Sequence, residues 1–194
     1  MNTKTKELTL TALMAAVLCV LGPLSVPLPF SPVPVSLTMV GIYLAVYAVG
    51  MWRGTAAVFL YLLLGLVGLP VFSGFAGGPS KLLGPTGGYL IGFLFTALVS
   101  GFVIDRFWKN RLVSAVGMAA GIATAYVFGT AWLAYVAGMT FGEALAAGVI
   151  PYIGFDLVKI VAVVIVGPEL KKALIRANLV SPGLCTGGKV RGNI

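Results

Sequence analysis

Long hydrophobic stretches without a charged residue dominate the chain. They cover residues 8–52, 54–80, 82–104 and 112–142, and each exceeds the roughly 20 apolar residues that a helix needs to cross a bilayer. Polar and apolar residues do not alternate within them, as they would in the strands of a membrane barrel. Because backbone groups in lipid must find their partners within the protein, the pattern predicts transmembrane helices.

Glycines, prolines and charged turns divide these stretches into six predicted helices. We expect the helices at about residues 8–22, 36–51, 55–69, 88–104, 112–136 and 151–175. A tight turn at 52–54 is expected to join the second and third helices into a hairpin. Five prolines between 23 and 36 exclude a regular helix there. The segment 70–88 is a glycine-rich apolar loop of a length typical of functional loops, and 138–150 is expected to be a short interfacial segment.

Composition supports a single membrane domain. Hydrophobic residues make up 59% and charged residues 9% of the 194 residues, whereas soluble domains carry about 25% charged residues. We assign residues 1–176 to one all-α domain and 177–194 to a flexible tail. The net charge of +8 comes from basic residues scattered between hydrophobic stretches, so nucleic acid is not an expected partner. Cys19 and Cys185 have neither metal nor disulfide spacing, and no metal site or cofactor is expected.

The basic residues also predict the orientation of the chain. With six helices and a cytoplasmic N-terminus, eleven of the 13 Lys and Arg residues lie inside, Lys81 alone lies outside, and Lys159 lies within the last helix. This distribution follows the positive-inside rule and predicts that both termini are cytoplasmic. The proline-rich and glycine-rich loops then lie on the outer face.

Two charged residues, Asp156 and Lys159, interrupt the last predicted helix in its outer half. Each costs roughly 2.5–3.5 kcal/mol at bilayer depth, so such residues usually face a cavity, a partner or a ligand. Their spacing places them on one helix face. One interpretation is an internal ion pair that fixes helix packing. The other is a recognition point for a small polar ligand, in which the carboxylate accepts N–H bonds and the ammonium donates to a carbonyl or carboxylate.

The start of the fourth predicted helix offers further ligand contacts. The backbone N–H groups of Gly87, Gly88 and Tyr89 can receive an anion, and glycine allows a ligand to approach the backbone closely. A re-entrant turn is the alternative interpretation of this sequence. Four aromatic residues near the outer face suit either an interfacial belt or the lining of a pocket: Phe30, Phe75, Tyr89 and Tyr152.

Ala12 and Ala16 form a small-xxx-small face on the first predicted helix. Small residues at this spacing let helices approach closely in lipid. The two alanines therefore serve either packing within the bundle or contact with a partner helix.

The residues do not indicate an enzyme. Hydrolases and proteases of the membrane need a nucleophile with a base, a metal cluster or paired carboxylates. The chain has no histidine and a single acidic residue at membrane depth, Asp156. A binding protein, a channel and a proton-coupled carrier that uses Asp156 are the classes left open.

Three segments of the chain carry a family resemblance: PVPVSL at 32–37, GGPSKLLGPTGGYLIGF at 77–93 and FDLVK at 155–159. Together they resemble the BioY family, the biotin-specific substrate-capture components of energy-coupling factor (ECF) vitamin transporters. The resemblance covers about residues 8–176, which is essentially all of the predicted membrane domain.

The resemblance implies that biotin is bound with high affinity near the outer surface of a prokaryotic cell membrane. In this family the acidic and basic residues of the FDxxK motif contribute to the ligand site, which here means Asp156 and Lys159. We expect Asp156 to accept a ureido N–H of biotin and Lys159 to donate to the ureido oxygen. Backbone amides near Gly78 or Gly88, together with Tyr89, are expected to help hold the ligand. The reverse arrangement, with Lys159 on the biotin carboxylate, is the alternative.

The resemblance also implies six transmembrane helices and assembly with an ECF module of one transmembrane coupling protein and two ATPase subunits. Capture components meet the coupling protein through an alanine-xxx-alanine face, which Ala12 and Ala16 match. The chain has no G-x-x-x-x-G-K-[ST] motif, consistent with energy supplied by another chain. Stand-alone biotin transport and capture of another vitamin are the alternatives.

Overall fold

The computed structural model describes residues 3–29 and 31–180, which are mostly helical. Seven helices follow one another along this part of the chain: α1 (Thr3–Leu21), α2 (Thr38–Leu66), α3 (Pro79–Leu83), α4 (Gly87–Phe107), α5 (Arg111–Ala137), α6 (Phe141–Gly148) and α7 (Ile150–Arg176). Two antiparallel strands, β1 (Ser25–Val26) and β2 (Val35–Ser36), connect α1 to α2. Phe30, Cys185 and the predicted tail beyond residue 180 lie outside the described ranges.

By length and composition, four of the described helices could cross a membrane: α4, α5, α7 and, counted over its full 29 residues, α2. The first helix, α1, has 19 residues, and Lys4, Lys6 and Glu7 make its first turns polar. The described chain therefore has the helices of a multi-pass membrane protein, as the hydrophobic pattern predicts.

Gly50 divides α2 into two arms, residues 38–49 and 51–66. Its backbone angles, φ 82° and ψ 176°, lie in a region that is essentially restricted to glycine. The chain folds back there, because the Cα atom of Val46 lies only 3.0 Å from the position that a Cβ atom on Gly54 would take. In a continuous helix, residues eight apart are separated by about 12 Å along the axis. The two arms therefore form the predicted hairpin.

The turn predicted at residues 52–54 is wrong, because these residues are helical. Arg53 pairs with Glu7 of α1, with 2.7 Å between Nη2 and Oε2, and this contact holds the second arm of α2 against α1. The arginine and the glycine after it suggested a polar turn. The actual reversal lies at Gly50, whose positive φ is not visible in the hydrophobic pattern.

A buried ionic cluster lies beside this reversal. Asp105 of α4 accepts a hydrogen bond of 2.8 Å from the backbone N–H of Met51, at the start of the second arm of α2. A carboxylate at a helix N-terminus is favourable. Lys171 of α7 is only 2% exposed, and its Nζ atom lies 3.9 Å from Asp105 Oδ1 and over the ring of Trp108. The cluster therefore ties α2, α4 and α7 together at one end of the bundle.

Small residues bring α4 and α5 into close contact. A Cβ atom on Gly92 would lie 2.7 Å from the Cα atom of Ala125, so a larger residue would push the two helices apart. The buried hydroxyl of Thr96 lies 3.0 Å from the carbonyl oxygen of Gly121 on α5. Such small and hydroxylated residues are common where helices meet in lipid.

The connecting segments cover the other end of the bundle. The proline-rich segment 23–36 forms the β1–β2 pair, and the glycine-rich segment 70–88 includes α3. The expected interfacial segment at 138–150 contains α6, which begins with a capping box between Thr140 and Glu143. Hydrogen bonds from Thr140 lower the pKa of the Glu143 carboxyl. The proline-rich and glycine-rich segments thus contain short regular elements that the hydrophobic pattern does not reveal.

Candidate functional site

Asp156 and Lys159 lie close together near the start of α7. Their side chains are 11% and 12% exposed, and Lys159 Nζ donates a hydrogen bond of 2.9 Å to Asp156 Oδ1. The hydroxyl of Tyr126 on α5 donates to the other carboxylate oxygen, Oδ2. Asp156 and Lys159 therefore lie on one helix face, as their spacing predicts, and form an ion pair. It leaves further N–H donors on Lys159 and further lone pairs on Asp156 for a ligand.

The pair faces a cavity of about 60 Å³, which we call the pair cavity. The proline-rich segment and four helices, α2, α4, α6 and α7, contribute its lining: Val33, Pro34, Val35, Ser36, Met39, Tyr89, Phe93, Gly148, Tyr152, Asp156 and Lys159. Pockets for small molecules usually measure roughly 300–1,000 Å³. In this conformation the pair cavity has room for a few water molecules, so a larger ligand must displace part of its wall.

The wall formed by residues 31–36 is fastened to α6 and α7 by two hydroxyl groups. The Tyr152 hydroxyl lies 2.7 Å from Ser31 Oγ and also contacts the carbonyl oxygen of Val33. Ser31 Oγ donates to the carbonyl oxygen of Ala147 at 2.8 Å. Each hydroxyl has one proton, so Ser31, which donates to Ala147, is an acceptor toward Tyr152, and Tyr152 donates its own proton to either Ser31 or Val33. These bonds connect the proline-rich segment directly to the helix that carries the ion pair.

Comparison with known proteins assigns the chain to a family. The sequence profile of the BioY family matches residues 1–176. The chain belongs to the BioY family. It is 37% identical to "Biotin transporter BioY" of Thermotoga maritima, over 76% of this chain and 86% of that protein. It is 38% identical to the protein of the same name from Rhizobium etli, over 84% of this chain and 91% of that protein.

The fold of this BioY family member is also similar to a solved structure. That structure is the S-component for biotin from an ECF-type ABC transporter. The two chains align with a TM-score of 0.82 and 32% sequence identity, over 89% of this chain and 95% of the other. The similarity therefore extends over most of both chains.

The structure brings one of the three additional predicted contacts to the pair cavity. Tyr89 lines the cavity, and its hydroxyl donates to the carbonyl oxygen of Gly148 at 3.0 Å. Gly88 packs against α5, where an added Cβ atom would lie 2.3 Å from a side-chain atom. Gly78 precedes α3, and its N–H donates to the carbonyl oxygen of Gly65 at 2.7 Å. Neither glycine is among the residues that line the pair cavity.

Sequence reasoning missed Tyr126 and the apolar walls of the site. A tyrosine hydroxyl inside an apolar helix usually needs a polar partner, which was an available signal for Tyr126. Met39 and Phe93 resemble ordinary core residues in the sequence, and no pattern marks them as cavity lining. Among the predicted aromatic residues, Tyr152 lines the cavity, whereas Phe75 is 68% exposed and does not.

Ala12 and Ala16 are exposed on α1. The neighbouring Leu13 is 52% exposed, whereas Met14 and Leu18 face the core. The small-xxx-small face therefore does not pack within the described bundle, and this surface is accessible to lipid or to a partner helix.

Proposed function

We propose that the chain is the biotin-capturing component of an ECF transporter in a prokaryotic cell membrane. The observation that carries this proposal is the buried Asp156–Lys159 pair, which faces a cavity in a chain of the BioY family. Ionisable residues at membrane depth mark binding sites and transport pathways. The similar proteins named above are biotin transporters and an S-component for biotin. Biotin is then the transported ligand, and the chain has no enzymatic role.

The polar groups of the site suit the ureido ring of biotin, which has two N–H donors and one carbonyl acceptor. Asp156 accepts a ureido N–H, and Lys159 donates to the ureido oxygen. Tyr126 keeps the carboxylate in position for this contact. The apolar side chains of Met39 and Phe93 suit the thioether bicycle. Because an unpaired polar group in a dry pocket is costly, an analogue without the ureido group binds weakly.

The other predicted ligand contacts depend on the conformation of the loops. Tyr89 belongs to the proposed site because it already lines the pair cavity. Gly78 and Gly88 reach a ligand only if the glycine-rich segment moves toward that cavity. Residues 31–36 must also move, because the cavity of about 60 Å³ is too small for biotin.

Six spans with both termini in the cytoplasm are part of this proposal. The spans are α1, the two arms of α2, α4, α5 and α7. Basic side chains support this orientation, since Arg53, Arg111 and Lys172 all lie at the end opposite the pair cavity. Lys81 lies at the same end as the cavity. The site is then accessible from the outer face.

The chain assembles with one coupling protein and two ATPase subunits. The ATPase subunits supply the energy for the release of biotin into the cytoplasm. The exposed Ala12 and Ala16 on α1 provide a surface on which a partner helix can pack closely. Biotin uptake by cells with and without the ATPase subunits tests this part. Full uptake without them would favour a stand-alone carrier.

Biotin binding to the purified protein tests the site. Asp156→Asn and Lys159→Ala should each weaken binding by about a hundredfold, because a buried charge loses its partner and the ligand loses a charged hydrogen bond. Glu169 and Lys172 provide a matched control. They form a second pair on α7 with the same three-residue spacing, 2.8 Å apart, but both are exposed. Glu169→Gln and Lys172→Ala should bind biotin as the parent does.

Two results would contradict the proposed function. Parent-like biotin affinity in both Asp156→Asn and Lys159→Ala would show that the ion pair is not part of the ligand site. A parent protein that binds a different vitamin and not biotin would identify a capture component for that vitamin.

A further inference from the structure

A second cavity, of about 360 Å³, lies between the proline-rich and glycine-rich segments. We call it the loop cavity. Residues of both segments line it, namely Ser25, Pro27, Ser31, Pro32, Pro34, Ser73, Gly74, Ala76 and Lys81. Its volume falls within the roughly 300–1,000 Å³ that is usual for small-molecule sites. Lys81, Ser25 and Ser73 do not line the pair cavity.

The loop cavity adjoins the pair cavity. Pro34 lines both cavities, and Ser31, which lines the loop cavity, is bonded to Tyr152, which lines the pair cavity. The segment 31–34 is therefore the partition between them. A movement of this partition away from Asp156 would extend the pair cavity toward the loop cavity.

The two cavities differ in charge. In the pair cavity the charge of Lys159 is balanced by Asp156 at 2.9 Å. Among the described residues that line the loop cavity, Lys81 alone is charged. Within the described part of the chain, Lys81 Nζ makes no ion pair and no hydrogen bond, and the hydroxyls of Ser25 and Ser73 make no hydrogen bond. An anionic group therefore gains more in the loop cavity than beside the neutralised pair.

We propose that the loop cavity is the subsite for the carboxylate end of the ligand. Lys81 Nζ binds the terminal carboxylate, with the hydroxyls of Ser25 and Ser73 as additional donors. The neutral ureido bicycle lies at Asp156 and Lys159, and the flexible methylene chain passes the partition at Pro34. This inference rests on the proposed function, and it fixes the direction in which biotin lies in the site.

The test compares two ligands that differ only in the charge of the tail. Biotin and biotinamide, whose tail is an uncharged carboxamide, are titrated into the purified parent and into Lys81→Ala. The parent should prefer biotin by about tenfold or more, as expected for a charged hydrogen bond. Lys81→Ala should bind biotin about tenfold more weakly and should bind biotinamide within about twofold of the parent. Unchanged biotinamide binding also shows that the variant is folded.

Two further variants make the test specific. Lys81→Arg keeps the charge and should retain most of the preference for biotin. Lys109→Ala removes an exposed charge at the opposite end of the bundle, and it should bind both ligands as the parent does.

Different results would contradict the carboxylate subsite and the proposed function. If Lys81→Ala keeps the preference of the parent for biotin, the loop cavity does not hold the carboxylate. If Lys159→Ala removes that preference and still binds biotinamide, the ligand lies in the opposite direction. In both cases a parent that binds biotin leaves the proposed function standing. A parent that binds neither ligand contradicts the proposed function itself.

Discussion

Tyr126 of α5 donates its hydroxyl proton to Oδ2 of Asp156 on α7. Lys159 binds the other carboxylate oxygen at 2.9 Å, so two helices hold the acid in one orientation. Burying a carboxylate without such partners costs a large amount of free energy. Holding it in place before binding also reduces the conformational entropy that a ligand must overcome.

Tyr126→Phe removes this donor and keeps the ring that packs within the bundle. Loss of a hydrogen bond to a charged group costs about 1.5–3 kcal/mol, so biotin affinity should fall by about tenfold or more. Isothermal titration of the purified protein measures the change. The control is Tyr135→Phe on the same helix, because Tyr135 is 83% exposed. Equal affinity in the parent and Tyr126→Phe would show that the hydrogen bond does not serve binding.

Tyr152→Phe removes the hydroxyl that fastens residues 31–36 to α7. Because this wall must move to admit a ligand, both the association and the dissociation rate of biotin should rise severalfold. Stopped-flow or surface-immobilised binding kinetics measure both rates. Ser31→Ala removes the bonds to Tyr152 and Ala147 and should act in the same direction. If both variants keep the parent rates, a different segment admits the ligand.

Ala12→Leu and Ala16→Leu enlarge the exposed face of α1. A close contact with a partner helix has no room for leucine, so co-purification with the coupling protein and biotin uptake should both be lost. Biotin binding to the isolated chain should not change, because neither alanine lines a cavity that contains site residues. Ala120→Leu adds the same bulk to an exposed position of α5 and serves as the control. Normal assembly of the α1 variants would show that the partner protein contacts a different surface.

Gly50→Ala places a side chain at the reversal of α2. The backbone there has φ 82° and ψ 176°, and a Cβ atom would lie 3.3 Å from both carboxylate oxygens of Asp105. The strain should cost about 1–3 kcal/mol and lower the thermal unfolding temperature in detergent. Gly142→Ala is the control, since Gly142 is helical and its Cβ atom would meet nothing within 4 Å. Equal melting of Gly50→Ala and the parent would show that the reversal tolerates a side chain.

The hydrophobic pattern was sufficient to predict the long helices and the position of Asp156 and Lys159 on one face of α7. Both depend on local rules, namely the length of apolar stretches and the cost of charge in lipid. The bond between Tyr126 and Asp156 was not predictable in this way, because it depends on how α5 and α7 are rotated relative to each other. The strands at 25–26 and 35–36 are too short to give a periodic pattern. The reversal at Gly50 depends on a positive φ. The sequence has 26 glycines, and it does not show which of them adopts this backbone angle.

The fastening of residues 31–36 by Tyr152 has a kinetic consequence. If the same segment must open for biotin to arrive and to leave, its stability sets the exchange time of the ligand and affects both rates in the same proportion. The equilibrium affinity is then decided by the ion pair and by the end of the ligand that lies beyond Pro34. Speed of exchange and strength of binding are thus assigned to different residues, and each can change while the other stays constant.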